Sequence, residues 1–493
     1  MLVFGREVLR AFPIDRATRQ LWSWLPCLII SSAPLLIEVI VQAPQAFAVP
    51  SFARQTGQPC ATCHTAFPEL TPYGRQFKLT GYTAGGTRCG DASALTDETQ
   101  VPLAVMTEPY TFTNVRSKLA QPDNNNYSTV QQTSLFVAGQ IYCDVGVFAQ
   151  STYDRPGVTY SWDNTDIRYA KSGVIDGTSI VYGITANNNP TVQDVWNTAP
   201  AWAFPYIASE IAPTPAASTM LGGTTFAGRV GGSGAYVWIN NMFYAEISAY
   251  GALDPRTLTT LGVDPTDGTP RFSGTAPYWR VAVEETWDKH SLMVGTFGMY
   301  ADVQPTNAGL GLSGPPQALA FPGIPDPFLD IGVDTQYQYI GDCNIVSVRA
   351  SYIWEHQKLN TEFANGLSSN INDYLYSLNA SASYIYNRTF SFTAGYFATW
   401  GTSDPLLYGS GTTPGTIASS STGSPNSNGW IFDVAYLPFS NGGPELWPWF
   451  NGRVGILYTH YDKFDGSTTF VDQTPGLKAS GNDTFFFYTW FAF

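Results

Sequence analysis

The chain contains little charge, little histidine and little cysteine. Asp, Glu, Lys and Arg make up 13% of its 493 residues, and it has only 4 His and 6 Cys. Such sparse charge is not typical of an ordinary cytosolic enzyme. No apolar run beyond residue 50 is long enough for a membrane-spanning helix, which argues against a helical membrane protein. Aromatic residues, by contrast, reach 15%, and Gly, Ser, Thr, Asn and Tyr recur throughout.

Residues 1–48 are predicted to be a signal peptide. Four arginines precede an apolar run that begins at Leu21 and ends in Ala46-Phe47-Ala48, the small-residue pattern that signal peptidase cleaves. An uncleaved membrane anchor is the alternative, but three prolines and a glutamate interrupt the run. We therefore expect the exported chain to begin near Val49 and to reside in the periplasm, outside the cell or in the outer membrane.

The last residues of the chain, "NDTFFFYTWFAF", are predicted to form an aromatic strand. One face carries Phe485, Phe487, Phe491 and Phe493, and the other carries Phe486, Tyr488 and Trp490. A terminal strand with this much aromatic surface would promote aggregation unless lipid or a closed barrel covered it. The pattern therefore indicates an outer-membrane β-barrel with lipid around it.

Alternation with a period of two appears clearly in "YLYSLNASASYIY". Tyr374 and Tyr376 share a face with other apolar residues, whereas Ser377 and Asn379 lie on the opposite face. After Asn387-Arg388 the next run repeats the pattern with Phe and Thr. We predict that the apolar face contacts lipid and that the polar face lines the interior.

Short and long connections alternate along residues 102–493. Seven short turns are predicted around Cys143-Asp144, Asp176-Gly177, Asn240-Asn241, Asp288-Lys289, Gly341-Asp342, Asn387-Arg388 and Asn441-Gly442. With a first strand from Pro102 and a last strand at 481–493, the count is about 16 strands. The predicted fold is therefore all-β, a transmembrane antiparallel barrel whose short turns face the periplasm and whose long loops, such as 188–230, face outward. A soluble sandwich or propeller is the alternative, although no repeat of 40 to 50 residues is present.

The stretch "GQPCATCHTAF" contains the Cys-x-x-Cys-His pattern of c-type haem attachment. It predicts one covalently attached haem, with Cys60 and Cys63 forming the thioethers and His64 as the proximal iron ligand. A zinc half-site would need a second Cys/His pair, and a thioredoxin-like redox pair would need a βαβ context, and neither is found.

Residues 49–101 are predicted to form a small monohaem domain. About fifty residues can hardly bury a haem alone, so we expect this domain to lie in the barrel lumen or at its periplasmic mouth. Met106 is the first methionine or histidine after His64 and is the candidate distal ligand of the haem iron. A packing role for Met106 is the alternative. Other candidates are Met242, Met293, Met299, His290, His356 or an open position.

Several further residues have two possible interpretations from the sequence. Arg54, Arg75 and Lys78 flank the motif and would neutralise haem propionates, or they serve only solubility. The three histidines outside the motif are expected to be structural or solvated. Cys89, Cys143 and Cys343 would include a disulfide in an oxidising compartment, with one thiol left over.

The stretch "FARQTGQPCATCHTAFPELTPYGRQFKLTGY", followed by a porin-like remainder, resembles the fused cytochrome-porin family, the outer-membrane monohaem iron oxidases of iron-oxidising bacteria. The resemblance is close over residues 52–82, and beyond them only the architecture and the terminal Phe match. It implies a haem domain inside a barrel that takes electrons from extracellular Fe(II) and passes them to a periplasmic c-type cytochrome or copper protein. Cys60, Cys63 and His64 carry over directly, whereas Met106 matches only a methionine near the first strand.

The activity implied is that of an Fe(II):cytochrome c oxidoreductase by outer-sphere electron transfer, for which no acid or base residue is assigned. The membrane's apolar band is about 25 Å thick, so a haem held wholly in the periplasm would be far from a donor outside. The alternatives are a conduit for another extracellular donor and an uptake channel whose haem plug is structural. A haem peroxidase would need distal acid-base residues, which the haem segment lacks. A homotrimer is one assembly open to such a barrel, and we predict no nucleic-acid partner.

Overall fold

In the computed structural model, the described residues are 50–86, 101–117, 126–155, 158–223, 226–265, 269–304, 325–409, 420–443, 449–469, 471 and 476–493. The predicted signal peptide and Cys89 lie outside the described residues. No helix in the described ranges is both long and apolar enough to cross a membrane.

Sixteen strands in the described part of the chain form one closed antiparallel sheet, which confirms the predicted fold. They are β1 (Leu103–Thr107 and Thr111–Val115), β2 (Asn126–Thr129 and Gln132–Tyr142), β3 (Val145–Asp154), β4 (Thr159–Ile175), β5 (Thr178–Asn187), β6 (Val230–Ile239), β7 (Phe243–Ala252), β8 (Ala276–Trp287), β9 (His290–Gln304), β10 (Asp326–Ile340), β11 (Asn344–Lys358), β12 (Asn372–Tyr386), β13 (Phe390–Gly401), β14 (Ser427–Tyr436), β15 (Asn451–Lys463) and β16 (Thr484–Ala492). A two-residue strand, Arg271–Phe272, also pairs with β9.

The barrel closes because β1 pairs with β16. Met106 lies opposite Ala492 in one half of β1, and Thr111 lies opposite Tyr488 in the other half. Three residues interrupt β1 and two interrupt β2, and each half of β1 pairs with one half of β2. No open sheet edge is left at this seam.

The outward and inward faces differ as the alternation predicted. Phe390 and Phe392 are 44% and 46% exposed on the outside of β13, whereas Ser391 and Thr393 are 2% and 6% exposed on the inside. Large apolar side chains exposed outward recur on the other strands. This apolar exterior around a polar interior is that of an outer-membrane barrel.

Six of the seven predicted short turns are confirmed, and all six join strands at the same end of the barrel. At Asn387 and Arg388 both φ angles are positive, +48° and +54°, which is the backbone of a type I′ hairpin turn. The seventh prediction, around Asn441-Gly442, is wrong. The connection there runs from 437 to 450, because the prolines in "LPFSNGGPELWPWF" cannot donate to the ladder and keep the strands from extending toward each other.

Short helices precede the barrel and also lie in connections between its strands. Helices α1 (Pro50–Thr56), α2 (Cys60–Cys63) and α3 (Pro72–Leu79) belong to residues 50–86, which we term the helical segment. Helices α4 (Pro255–Thr260) and α5 (Asn360–Ala364) lie in connections at the opposite end from the short turns. Two single 3₁₀ turns span Pro200–Trp202 and Ala479–Asn482.

The connection between β5 and β6, residues 188–229, folds back into the lumen, and we term it the inward loop. Val192, Val195, Trp196 and Ala199 are fully buried in it. Its polar groups bind inward-facing wall residues: the Trp196 indole donates to Glu284 at 2.7 Å, and the amide of Leu221 donates to Asp330 at 2.7 Å. The sequence analysis placed this connection outside the barrel. The scarcity of charge in residues 195–230, one Glu and one Arg, fits its burial.

Two carboxyl groups face each other at the end of the barrel opposite the short turns, where α5 meets β10. Burial raises the pKa of Glu362 to about 9, and the facing carboxyl of Asp326 adds to this effect through a hydrogen bond and its charge. Atoms Oε2 of Glu362 and Oδ2 of Asp326 have no donor among the described residues. A proton held on the Glu362 carboxyl would supply the missing donor.

The stability of the barrel is therefore expected to fall as the pH rises. A carboxyl whose pKa is higher in the folded than in the unfolded chain contributes fully below the unfolded value of 4.5, and the contribution is lost as the pH approaches about 9. The check is the urea midpoint of purified protein from acidic to alkaline pH. Glu362→Gln should flatten this decline, whereas the exposed Glu285→Gln should not. Parallel curves for wild type and Glu362→Gln would contradict it.

Candidate functional site

Buried side chains of the barrel wall hold the helical segment in place. Arg75 of α3 forms an ion pair with Glu284 of β8 and donates to Gln336 at 3.0 Å and to Gln338 at 2.8 Å. Arg75 and Glu284 are 1% and 3% exposed. Because a buried charge is tolerated only when it is paired and hydrogen-bonded, α3 is fixed against the inward faces of these strands.

A second ion pair joins the helical segment to β11. Nη2 of Arg349 lies 2.9 Å from Oε2 of Glu69, and both side chains are at most 3% exposed. Thr65 and Ser383 also donate to Glu69, each at 2.9 Å. Burial alone would raise the pKa of Glu69, but the charge of Arg349 and these hydrogen bonds outweigh it, so the pKa lies below its usual value. Glu69 is therefore a buried carboxylate.

The cysteine motif forms helix α2, a single helical turn packed tightly against α3. The amide of His64 donates to the carbonyl of Cys60 at 2.8 Å, and the amide of Thr71 donates to the carbonyl of Cys63 at 2.9 Å. A Cβ atom on Gly74 would come within 2.2 Å of the Cys63 carbonyl oxygen, so only glycine fits there. This close approach brings the motif and α3 together.

His64 leaves the helix at once, with φ −127° and ψ 137°, and its imidazole is buried. Burial lowers the pKa of His64 to about 4, an effect that the carbonyls of Pro68 and Glu69 only partly offset. Although these carbonyls lie near the ring, Nδ1 has no hydrogen-bond partner in the described part of the chain. A neutral imidazole of this kind is the form that binds metal ions.

Cys63 and His64 line a cavity of about 430 Å³ between the helical segment, the wall and the inward loop. Its aromatic lining residues are Phe52, Phe67, Phe77, Tyr82, Phe136, Phe148, Trp202, Tyr206 and Trp490. The volume lies within the range of about 300–1,000 Å³ that is typical of ligand and cofactor sites. Cys60 is buried beside the cavity but is not among its lining residues, and its Sγ accepts from Asn451 at 3.3 Å.

Met106 lines the same cavity. It lies on the inward face of β1, is 6% exposed and packs with Ala104, Phe136 and Ala138. The structure thus brings together the two residues that the sequence analysis nominated as iron ligands. Met106 also has the neighbours expected if it serves only in packing, so its role as a distal ligand stays a prediction.

The other candidate ligands do not line this cavity. Met293 and Met299 pack in apolar clusters of the wall, and Met242 is 41% exposed at a turn. His290 contacts the Tyr337 hydroxyl at 2.8 Å, His356 contacts Asn372 at 3.1 Å, and His460 contacts Asp483 at 2.9 Å. These contacts are those of structural histidines.

The residues around the cavity fit a covalently attached haem. They offer a thiol, a neutral imidazole with a buried nitrogen lacking a partner, a thioether sulfur in the same lining and an aromatic lining. Within the described ranges, no group of three or more His, Cys, Asp or Glu residues could hold a metal ion by itself. Cys60 and Cys63 are not joined to each other by a disulfide, so both thiols fit thioether formation.

The three cations near the motif have different surroundings. Arg75 is directed at the wall, and Arg54 donates to the carbonyl of Val101 at 3.2 Å and lies over the Trp449 ring at 4.2 Å. Neither lines the cavity, whereas Lys78 does. Of the three cations predicted to neutralise haem propionates, only Lys78 therefore lines the cavity.

The sequence analysis missed the roof of the cavity, which the inward loop supplies. Residues 200–203 and 205–207 line the cavity, with Trp202 and Tyr206 as its large side chains. The amide of Leu70 donates to Asn197 at 2.9 Å, and the Tyr206 hydroxyl donates to Glu69 at 3.1 Å, so the roof is bonded to the helical segment. The one available signal was the run of aromatic residues in "APAWAFPYIA".

Of the remaining cysteines, Cys143 at the turn between β2 and β3 is disulfide-bonded. Its partner lies outside the described residues. The expectation of a disulfide in an oxidising compartment is met to this extent.

No protein-family model matches the chain, and no curated protein matches it by sequence. Among solved structures it is similar to OmpT, an outer membrane protein of Vibrio cholerae, with 8% identity, a TM-score of 0.40 and coverage of 79% of this chain and 96% of that one. Salmonella typhi OmpF in complex with daunomycin has 13% identity, a TM-score of 0.42 and coverage of 79% and 97%. The outer membrane channel DcaP of Acinetobacter baumannii has 9% identity, a TM-score of 0.40 and coverage of 79% and 96%. Similarity at this level carries no information on function.

Proposed function

We propose that this porin-like barrel binds one c-type haem in the cavity and transfers electrons from extracellular Fe(II) to a periplasmic c-type cytochrome or copper protein. The observation that supports this proposal best is that Met106 of β1 lines the same cavity as Cys63 and His64 of the motif. A chance Cys-x-x-Cys-His pattern would not be expected to share an aromatic cavity of cofactor size with a methionine from a barrel strand.

Each of these residues has a distinct part in the proposal. Cys60 and Cys63 would form thioethers with the haem, and His64 and Met106 would be the ligands of its iron. When bound, the haem supplies a reversible one-electron change at iron. A methionine ligand raises the potential relative to a second histidine, which suits a donor as weakly reducing as Fe(II).

The inward loop would serve by keeping water and iron out of the cavity. Trp202 and Tyr206 line the cavity from the inward loop, and the Trp202 indole donates to the carbonyl of Val192 at 2.7 Å. An electron can tunnel through a layer of aromatic side chains, whereas an iron ion can pass only if those side chains move aside. Fe(II) is therefore proposed to react at the outer side of this roof.

The proposal predicts that Fe(II) reduces the oxidised haem of the purified protein. Anaerobic mixing at acidic and near-neutral pH, followed through the haem absorption bands, measures this. Met106→Leu keeps the packing volume but removes the sulfur, so it should change the haem spectrum, lower the potential and slow reduction by at least about tenfold. Met299→Leu, buried in the wall away from the cavity, is the matched control.

Each outcome separates the candidate functions. Reduction by dithionite but not by Fe(II) would leave a haem protein with another extracellular donor or a channel with a structural haem. An unchanged spectrum in Met106→Leu would leave Met106 as a packing residue. The periplasmic acceptor and the homotrimer stay predictions, to be checked by reduction of candidate acceptors and by mass in detergent.

A further inference from the structure

We propose that Lys78 pairs with a carboxylate of the ligand in the cavity and that, with haem bound, its ammonium couples the iron's oxidation state to pH. This inference rests on the proposed function, since haem carries two propionate carboxylates. Lys78 belongs to α3 and lines the cavity, and the attachment motif assigns it no role.

Lys78 is 6% exposed and lines the cavity from α3. Its Nζ donates to the carbonyls of Val192 and Asp194 at 2.7 and 2.9 Å and lies 4.7 Å from the centroid of the Trp202 ring. An ammonium has three donors, and two carbonyls account for two of them. One N–H therefore remains for an acceptor inside the cavity.

Charged groups surround Lys78 on three elements. Burial and the positive charge of Arg168 lower the pKa of Lys78 to about 7, and Asp166, Asp194 and Glu246 oppose this shift. Most of these carboxylates already have cation partners of their own: Asp166 pairs with Arg168 at 2.8 Å, and Asp194 with Arg280 at 3.2 Å. Lys78 thus has neighbours of opposite charge but no ion pair in the described part of the chain.

A ligand carboxylate in the cavity would supply the missing partner. It would raise the pKa of Lys78, since an opposite charge favours the ammonium form. Reduction would add one electron at the iron. The less positive iron would also favour the ammonium form of Lys78, so a neutral Nζ would take up one proton from solvent. The potential should therefore be high when Lys78 is charged and should fall as the pH rises through its titration.

The test is the reduction potential of the haem-loaded protein as a function of pH, compared among three variants. In Lys78→Met the potential should be low and flat across the window in which the wild type falls. In Lys78→Arg it should be high and flat, because a guanidinium stays charged. Lys171→Met removes an exposed lysine paired with Asp144 and should follow the wild type.

A potential that falls in the wild type and is flat in Lys78→Arg supports the role of Lys78 even if Lys78→Met does not assemble. Wild-type behaviour in Lys78→Arg and Lys78→Met would overturn it. Failure of the proposed function is a separate result: a chain without covalent haem, or a haem that Fe(II) does not reduce, is seen in the wild type before any variant is compared.

Discussion

In cells that attach c-type haem, the exported chain is expected to carry one covalently bound haem, and the double variant Cys60→Ser/Cys63→Ser is expected to carry none. Each cysteine forms one thioether, so a single replacement should leave a weakened attachment through the other bond. His64→Ala keeps both thiols but removes the proximal ligand, and should therefore retain covalent haem with an altered spectrum. The double variant thus separates complete loss of haem from the partial or spectral changes expected of the single variants.

The measurement is the intact mass of the purified chain together with haem staining after denaturing electrophoresis. Cys343→Ser, at the turn between β10 and β11, is the matched control and should keep full haem content. Heat-dependent mobility on the same gel shows whether each barrel is folded, so loss of haem is not confused with loss of fold. A wild-type chain without added mass would remove the cofactor from the proposal and leave a porin-like barrel with a buried helical segment.

The barrel could be predicted from the sequence because its determinants are local. Alternation in 374–386, the turn residues at Asn387-Arg388 and the aromatic terminal strand each reflect forces acting within a few residues. The antiparallel pairing of β1 with β16, the first and last strands, then follows from closing a barrel with an even number of strands. The prediction at Asn441-Gly442 is wrong for a local reason as well, since the neighbouring prolines cannot donate to the ladder and oppose a short hairpin there.

The roof of the cavity could not be predicted, because no local pattern shows whether a long connection folds outward or inward. What holds the inward loop is a set of long-range contacts, such as Trp196 with Glu284 and Leu221 with Asp330. The interior polar residues of a large barrel need partners. Here the inward loop and the helical segment supply many of these partners. The loop, the segment and the barrel wall therefore stabilise one another.

Replacing Arg349 with methionine is expected to release the helical segment. The substitution leaves the Glu69 carboxylate buried without its cation, which costs about 3–5 kcal/mol. Because the segment can move away while the sixteen strands stay paired, we expect local opening rather than unfolding of the barrel. Trypsin cleavage at Arg75 and Lys78, both buried in the native protein, should then accelerate by more than about a hundredfold.

The double variant Glu69→Gln/Arg349→Met separates the ion pair from simple loss of packing. The amide removes the stranded charge and keeps a hydrogen-bond acceptor for Thr65 and Ser383, so cleavage should be slower than in Arg349→Met alone. Arg116→Met breaks the pair with Asp483 but removes a side chain that is 65% exposed, and it should have little effect. Cleavage at the wild-type rate in Arg349→Met would mean that the Arg75 network and the inward loop suffice to hold the segment, and the Arg349–Glu69 pair would then not be its anchor.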